Sequence, residues 1–343
     1  MPAAIGPARV PGVEIPHGST AQRTTWPSLP ATIRALVERR LGRSVVDADS
    51  QQGGFTDGFA SRLLLADGTR VFVKAISAEQ NPQVHPSYLQ EIAVASALPP
   101  HAPAPHLLWA VEQGDWAVLA FEDVAGRLPT RPWDTDELGR VLDLLPVLAS
   151  AMTPAPAGLP DLPTTADLDA HFTVWRRHAA AGTVPDGLDP RWHPRVTELA
   201  ALEADWATLS DGTTAVHFDL RDDNILLGDD GRVLVCDWNW LSLAAPWVDL
   251  VGLLVSVHGD GLDAQHLIAS HPLSRDVPAR SVDAFLCALA GYFVEASARP
   301  PVPSSPWLRP HQAWWRDAAL DWLGLRLDHL ARVTPGPPGA GRG

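Results

Sequence analysis

The chain has 343 residues, 46% of them hydrophobic and 19% charged, and a formal net charge of −14. That is a folded globular composition with room for two lobes, and its acidity argues against nucleic acid, whose phosphates call for clustered Lys and Arg. Only two cysteines occur, Cys236 and Cys287, so a disulfide scaffold is excluded and both read as reduced core thiols. Residues 1–28 and 334–343 are rich in Pro and Gly and are expected to be poorly ordered tails. The start has no apolar core of a secretory signal, and no run approaches about 18 uninterrupted apolar residues. A cytoplasmic protein with no membrane partner is therefore expected.

"ATIRALVERRLG" (31–42) places Ile33, Leu36, Val37 and Leu41 at helical spacing and stops at Gly42. "ASRLLLADGTRVFVKAI" (60–76) reads as two strands around Asp67-Gly68, a hairpin signal. "SYLQEIAVASAL" (87–98) returns to helical spacing, and "HLLWAVEQGDWAVLAFEDV" (106–124) is again two strands around Gly-Asp. These elements predict an antiparallel α+β lobe over residues 29–125. Beyond Gly126-Arg127 the pattern turns helical, with helices expected at 135–151, 166–181 and 192–208. Two short strands follow around Asp229-Asp230-Gly231, then helices at about 247–258, 280–298 and 311–332. Residues 126–333 thus form a larger helical lobe with a two-strand insert, and no internal repeat is visible.

The polar cluster "HFDLRDDNILL" (217–227) runs directly into buried apolar residues, where uncompensated charge is expensive. If a loop ends at Asn224 and a hairpin returns to Asp237, an amide oxygen and a carboxylate meet at one end of the hairpin. Such hard oxygen ligands suit Mg²⁺. Asp219 in the preceding loop is then free to accept a proton from a substrate hydroxyl, and Arg221 to spread positive charge over a transferring phosphoryl group. The plainer alternative is a polar loop whose Asp and Asn side chains satisfy backbone N–H groups.

"His217-x-Asp219-x-x-x-x-Asn224", followed by "Asp237-Trp238", resembles the catalytic loop and metal motif of the protein-kinase-like fold, and more closely that of the aminoglycoside phosphotransferase family. The resemblance implies a bilobal α+β protein, with a small β-rich amino-terminal lobe and a larger helical carboxy-terminal lobe. It implies Lys74 of "VFVKAI" as the phosphate-contacting lysine, oriented by Glu91 seventeen residues on. It places "QQGGFTDGFAS" (51–61), with Gly54 and Thr56, over the phosphates, although G-x-G-x-x-G is lacking. "LAFEDVAG" (119–126) becomes the hinge, where backbone near Glu122 to Val124 meets a purine edge. In "APWVDL" (245–250), Asp249 is implied to brace the catalytic loop, with a plain helix cap as the alternative.

The function so implied is Mg²⁺-dependent transfer of the γ-phosphate of ATP or GTP to a hydroxyl of a small molecule, by a monomer or homodimer. The alternative is a non-catalytic pseudokinase that binds nucleotide as an interaction protein; a protein kinase is disfavoured because no activation segment follows "DWNW". Residues 257–333 hold eight Asp/Glu against seven Arg, while 122–210 hold fourteen against seven. The acceptor therefore need not be polycationic, and a hydroxylated antibiotic or sugar-like natural product is expected. Trp307, Trp314, Trp315 and Trp322 read either as core or as a stacking wall for that acceptor.

Overall fold

A computed structural model of the chain describes residues 15–16 and 18–333. Helix α1 (Ala31–Leu41) ends at Gly42, whose φ of 71° is the left-handed conformation glycine adopts without penalty. Strands β1 (Val45–Ser50), β2 (Phe59–Leu65) and β3 (Arg70–Ser77) follow, then α2 (His85–Ala97), β4 (Leu107–Gln113) and β5 (Trp116–Glu122). They make one antiparallel five-stranded sheet in the order β1-β2-β3-β5-β4. Because side chains alternate across a strand, Val71, Val73 and Ala75 of β3 pack with Ile33, Leu36 and Val37 of α1. Phe72, Lys74 and Ile76 point to the opposite face, where Tyr88 of α2 joins the apolar cluster.

The second lobe opens with β6 (Gly126–Arg127) and α3 (Thr135–Ala151), which Asp134 caps by accepting from the Asp136 and Glu137 amides. The expected helix at 166–181 is broken into α4 (Thr165–Leu168), a 3₁₀ turn and α5 (Val174–Ala181). The break seats Phe172 in an aromatic group with Trp206, Phe218 and Tyr292, at ring-centroid distances of 4.7, 6.2 and 5.9 Å. The expected helix at 192–208 likewise becomes a 3₁₀ stretch containing Pro194, then α6 (Val196–Glu203) and α7 (Trp206–Leu209). Proline there has no N–H to continue a ladder.

Strands β7 (Thr214–Val216), β8 (Ile225–Gly228), β9 (Val233–Val235) and β10 (Ser242–Ala244) bracket the polar cluster. β8 pairs with β9 and β6, and β10 with β7. Helices α8 (Val248–Gly259), α9 (Ala264–Ser270), α10 (Ala279–Ala298) and α11 (Leu308–Val333) complete the lobe; α9 was not anticipated. α10 is long and apolar enough to cross a membrane, but most of it is buried inside the lobe. Cys287 lies on it and Cys236 just after β9, both as free thiols. Trp315 and Trp322 belong to the core, at 2% and 1% exposure, so the face they define is no stacking wall. The α+β, two-lobed architecture is the one expected.

The expectation of a disordered start is corrected for residues 18–28, because this segment is hydrogen-bonded along the 51–57 loop and its Ala21 is buried. Residues 1–14, 17 and 334–343 lie outside the described residues.

Candidate active site

The β8–β9 register pairs Ile225 with Val235, and the Cys236 amide donates to the Asn224 carbonyl at 2.9 Å. Asn224 and Asp237 are thereby brought to the same end of the hairpin. Asn224 donates through Nδ2 to the Asp219 carbonyl at 2.8 Å and to its carboxylate at 3.3 Å, leaving Oδ1 as the oxygen it can offer. Asp237 sits at φ 67°, an uncommon backbone for a non-glycine residue, held next to Trp238, whose indole N–H donates to Val235 O at 2.8 Å. Its side chain stays 39% exposed.

Lys74 connects the lobes. Its Nζ lies 2.5 Å from Glu91 Oε2 and 2.7 Å from Asp237 Oδ1. The alternation of β3 turns Lys74 toward α2, so the Glu91 contact follows directly from local structure. Burial works against the ammonium, but Asp237 and Glu91 outweigh it and hold Lys74 protonated above the ordinary lysine range. Burial also opposes the charge on Asp237, yet the Lys74 charge and hydrogen bond keep its carboxyl below the usual range. Glu91, deeper and beside the charge of Asp237, is pushed up to about 7 by burial despite Lys74.

Asp249 braces the loop as the resemblance implied. Its two carboxylate oxygens accept from the His217 and Phe218 amides, both at 2.8 Å. Phe218 sits at φ 65°, so the brace holds a disfavoured backbone immediately before Asp219. Burial raises the Asp249 carboxyl above its ordinary value, with His217 and the two amides opposing.

The role read for Arg221 needs correction. Its Nε lies 3.4 Å from Asp219 Oδ1 and 3.2 Å from Asp223 Oδ1, and its guanidinium lies 5.5 Å from the centre of the Phe55 ring. Its charge is thus held between two carboxylates, an arrangement that orients Asp219 rather than reaching out over a phosphoryl group. Asp223 is pushed up to about 6 by burial, with Arg221 opposing.

The hinge also differs in detail. The Glu122 amide donates to His106 O at 2.9 Å and its carboxylate accepts from Arg232, so its N–H is not available to a base. Arg62 holds Asp123 at 2.6 and 2.8 Å and reaches Val124 O at 3.4 Å. The Val124 N–H donates to nothing among the described residues. Gly54 and Thr56 lie on the loop between β1 and β2; Gly54 has φ 78° and Thr56 Oγ1 accepts from Arg23 at 3.0 Å.

Several residues of the site carried no sequence signal. Arg131 donates to Asp222 at 2.6 Å and grips Asp260 at 2.6 and 2.8 Å, tying the 217–224 loop to the end of α8. His311 of α11 faces Phe55 at 4.5 Å and accepts from Arg221 at 3.4 Å. Burial and the Arg221 and Arg131 charges hold its imidazole well below the usual range, in keeping with a neutral acceptor.

Residues 54–285 match the sequence profile of the phosphotransferase enzyme family. No curated protein matches the chain. Among solved structures it is similar to aminoglycoside phosphotransferase APH(4)-Ia in a ternary complex with ADP and hygromycin B, at 16% identity and a TM-score of 0.56, covering 90% of this chain and 100% of that one. Spectinomycin phosphotransferase APH(9)-Ia, in complex with ADP and spectinomycin, gives 11% identity and 0.59 over 86% and 98%. Choline kinase LicA from Streptococcus pneumoniae gives 14% and 0.54 over 86% and 100%. At these identities the structural likeness is one of fold, and it is the profile, matched across more than half the chain on the lobes and loop just described, that makes the chain a member of the phosphotransferase enzyme family.

Proposed function

We propose that this small-molecule kinase transfers the γ-phosphoryl group of ATP or GTP to a hydroxyl of a natural product that need not be polycationic. The observation that carries the reading is the convergence of Lys74, Glu91 and Asp237, from three separate elements, in one ion-pair chain beside Asp219 and Asn224. Of the five, Asp219 is the one that nucleotide binding alone does not require, and its retention beside the other four favours turnover. In this reading Lys74 contacts the phosphates, Glu91 orients it, and Asp219 accepts the proton of the acceptor hydroxyl.

The donor set fits Mg²⁺. Asn224 Oδ1 and the partly exposed Asp237 carboxylate are hard oxygens, and Mg²⁺ in such sites takes one or two carboxylates together with substrate phosphates and water. When bound, the ion neutralises charge developing on the phosphate oxygens. Asn224 and Asp237 would hold it; Asp249, through the His217 and Phe218 amides, keeps Asp219 in place.

The preference for a less charged acceptor is supported by the carboxy-terminal segment, residues 257–333, where eight Asp/Glu are nearly balanced by seven Arg. A segment without an acidic excess suits a hydroxylated, neutral or weakly charged ring, including a nucleoside-type antibiotic. The test is a mass-shift screen with Mg²⁺ and either triphosphate, offering aminoglycosides, peptide and nucleoside antibiotics and free amino sugars, with EDTA controls. Turnover confined to polycationic aminoglycosides would sink the preference; no turnover beyond background across nucleotide and acceptor panels would count for the non-catalytic reading.

A further inference from the structure

The loop between β1 and β2 lacks the glycine spacing that shapes a phosphate-covering loop from within, yet its backbone is held in order from outside. The segment from Gly18 to Thr24 lies along it. The Thr20 and Ala21 amides both donate to Gln52 O at 3.0 Å, Arg23 Nη2 donates to Gly53 O at 2.5 Å, and Thr20 Oγ1 donates to Gly54 O at 2.5 Å. Arg23 Nη1 also reaches Thr56 Oγ1 at 3.0 Å, and the Thr24 amide donates to Asp57 O at 3.1 Å. Three consecutive carbonyls, those of Gln52, Gly53 and Gly54, are thus turned toward one strap.

Peptide geometry then decides where the amides go. In a planar trans peptide the C=O of one residue and the N–H of the next point in opposite directions. The amides of Gly53, Gly54 and Phe55 are accordingly turned away from the strap, and none of them donates to any group among the described residues. Gly54, at φ 78°, supplies the left-handed step that lets successive N–H groups form an anion-binding concavity. The loop's place suits an anion. It enters β2 at Phe59, which pairs with Ala75, so the next pair along, Ala60 with Lys74, brings it to the lysine. At its tip Phe55 packs on His311 and over Arg221, beside Asp219.

We propose that Thr20 and Arg23 are positioning residues: by holding the carbonyls of Gly53 and Gly54 they orient the Gly54 and Phe55 amides, which with the Gly53 amide form a cradle for the phosphates of the nucleotide. The strap does from the amino-terminal segment what internal glycines do elsewhere. The same segment reaches the other lobe, where the Gln22 amide donates to Ser304 O at 3.3 Å, so the cradle is referenced to both walls of the cleft. The inference rests on the nucleotide-dependent reading above.

The test compares wild type, Thr20→Val, Arg23→Gln and Arg23→Lys, each as the full chain, by equilibrium binding of ATP, GTP, adenosine and guanosine and by steady-state triphosphate hydrolysis. Thr20→Val should weaken triphosphate binding roughly threefold to tenfold, the size of one neutral hydrogen bond. Arg23→Gln should weaken it roughly tenfold to a hundredfold, as for hydrogen bonds from a charged group. Both should raise KM for the triphosphate more than they lower kcat and leave nucleoside affinity unchanged. Arg23→Lys keeps the charge but cannot bridge Gly53 O and Thr56 Oγ1, so it should behave like Arg23→Gln. Full rescue by lysine with a silent Thr20→Val would show Arg23 acting as a simple charge on phosphate and overturn the cradle. Equal loss of nucleoside and triphosphate binding would overturn it too, by showing a general defect of the lobe. Wild type binding neither triphosphate would instead overturn the nucleotide reading itself.

Discussion

Asp249→Ala removes both oxygens that accept from the His217 and Phe218 amides, at 2.8 Å each. His217 is fully buried, so its amide has no water to turn to. An orphaned buried donor costs about 1–3 kcal/mol, so the His217 amide alone should cost that much stability, with a smaller loss from the half-buried Phe218 amide. Phe218 is held at φ 65°, a backbone disfavoured by roughly 1–2 kcal/mol for an L residue. Released from the brace it relaxes, and Asp219, the next residue, moves with it. A displacement on the order of 1 Å at a reacting group costs about a hundredfold in rate. Asp249→Asn keeps one acceptor but sets an amide N–H against the second backbone donor, and should lose about half as much stability. Urea unfolding measures the first quantity, and Mg²⁺-triphosphate hydrolysis together with nucleotide binding measures the second. Nucleotide affinity should change little, because Lys74 and Glu91 stand on other elements. An Asp249→Ala protein within about 0.5 kcal/mol of wild type, the range of an ordinary surface change, with unchanged hydrolysis, would refute the brace.

Asp219→Ala should cut turnover by roughly 10²–10⁴-fold, the usual contribution of a general base, with nucleotide affinity retained. Asp237→Ala should weaken Mg²⁺-triphosphate binding as well as turnover, read by titrating Mg²⁺ at fixed nucleotide; affinity that no longer responds to Mg²⁺ is the expected signature. Glu91 has a folded pKa raised from 4.5 to about 7, so the folded state binds its proton more tightly than the unfolded chain does. Its contribution is fully present below the unfolded value and is lost as pH rises through about 7. Glu91→Gln should therefore flatten the fall in urea midpoint across that window, and parallel profiles would contradict the assignment. Arg131→Met leaves Asp222 and Asp260 without the guanidinium between them and should destabilise by about 3–5 kcal/mol, as for one partner lost from a buried ion pair; equilibrium unfolding reads it.

Local pattern was enough for much of this protein. Period-two alternation put Lys74 between Phe72 and Ile76 and helical spacing put Glu91 on the next element, but their pairing, at 2.5 Å in the structure, was implied by the family resemblance. The motif around Asp219, Asn224 and Asp237 was equally readable, because a short hairpin returns the chain to its own starting end. What local pattern does not carry is contact between residues far apart in the chain. The hydrogen bond from Lys74 to Asp237 spans 163 positions, and that from Arg131 to Asp260 spans 129. Nothing in the neighbourhood of Arg221 announces that Phe55 and His311 will enclose it, or that Asp223 will share its charge. The breaks within 166–181 and 192–208 belong to the same class, since the first was set by where Phe172 had to pack. Residues 18–28 show the reverse error: the Pro- and Gly-rich composition of residues 1–28 spoke for disorder, yet the carbonyls of the loop gave this part of the segment partners. Composition and period report what a residue prefers next to its neighbours, whereas partners for buried polar groups are found only once distant elements have packed.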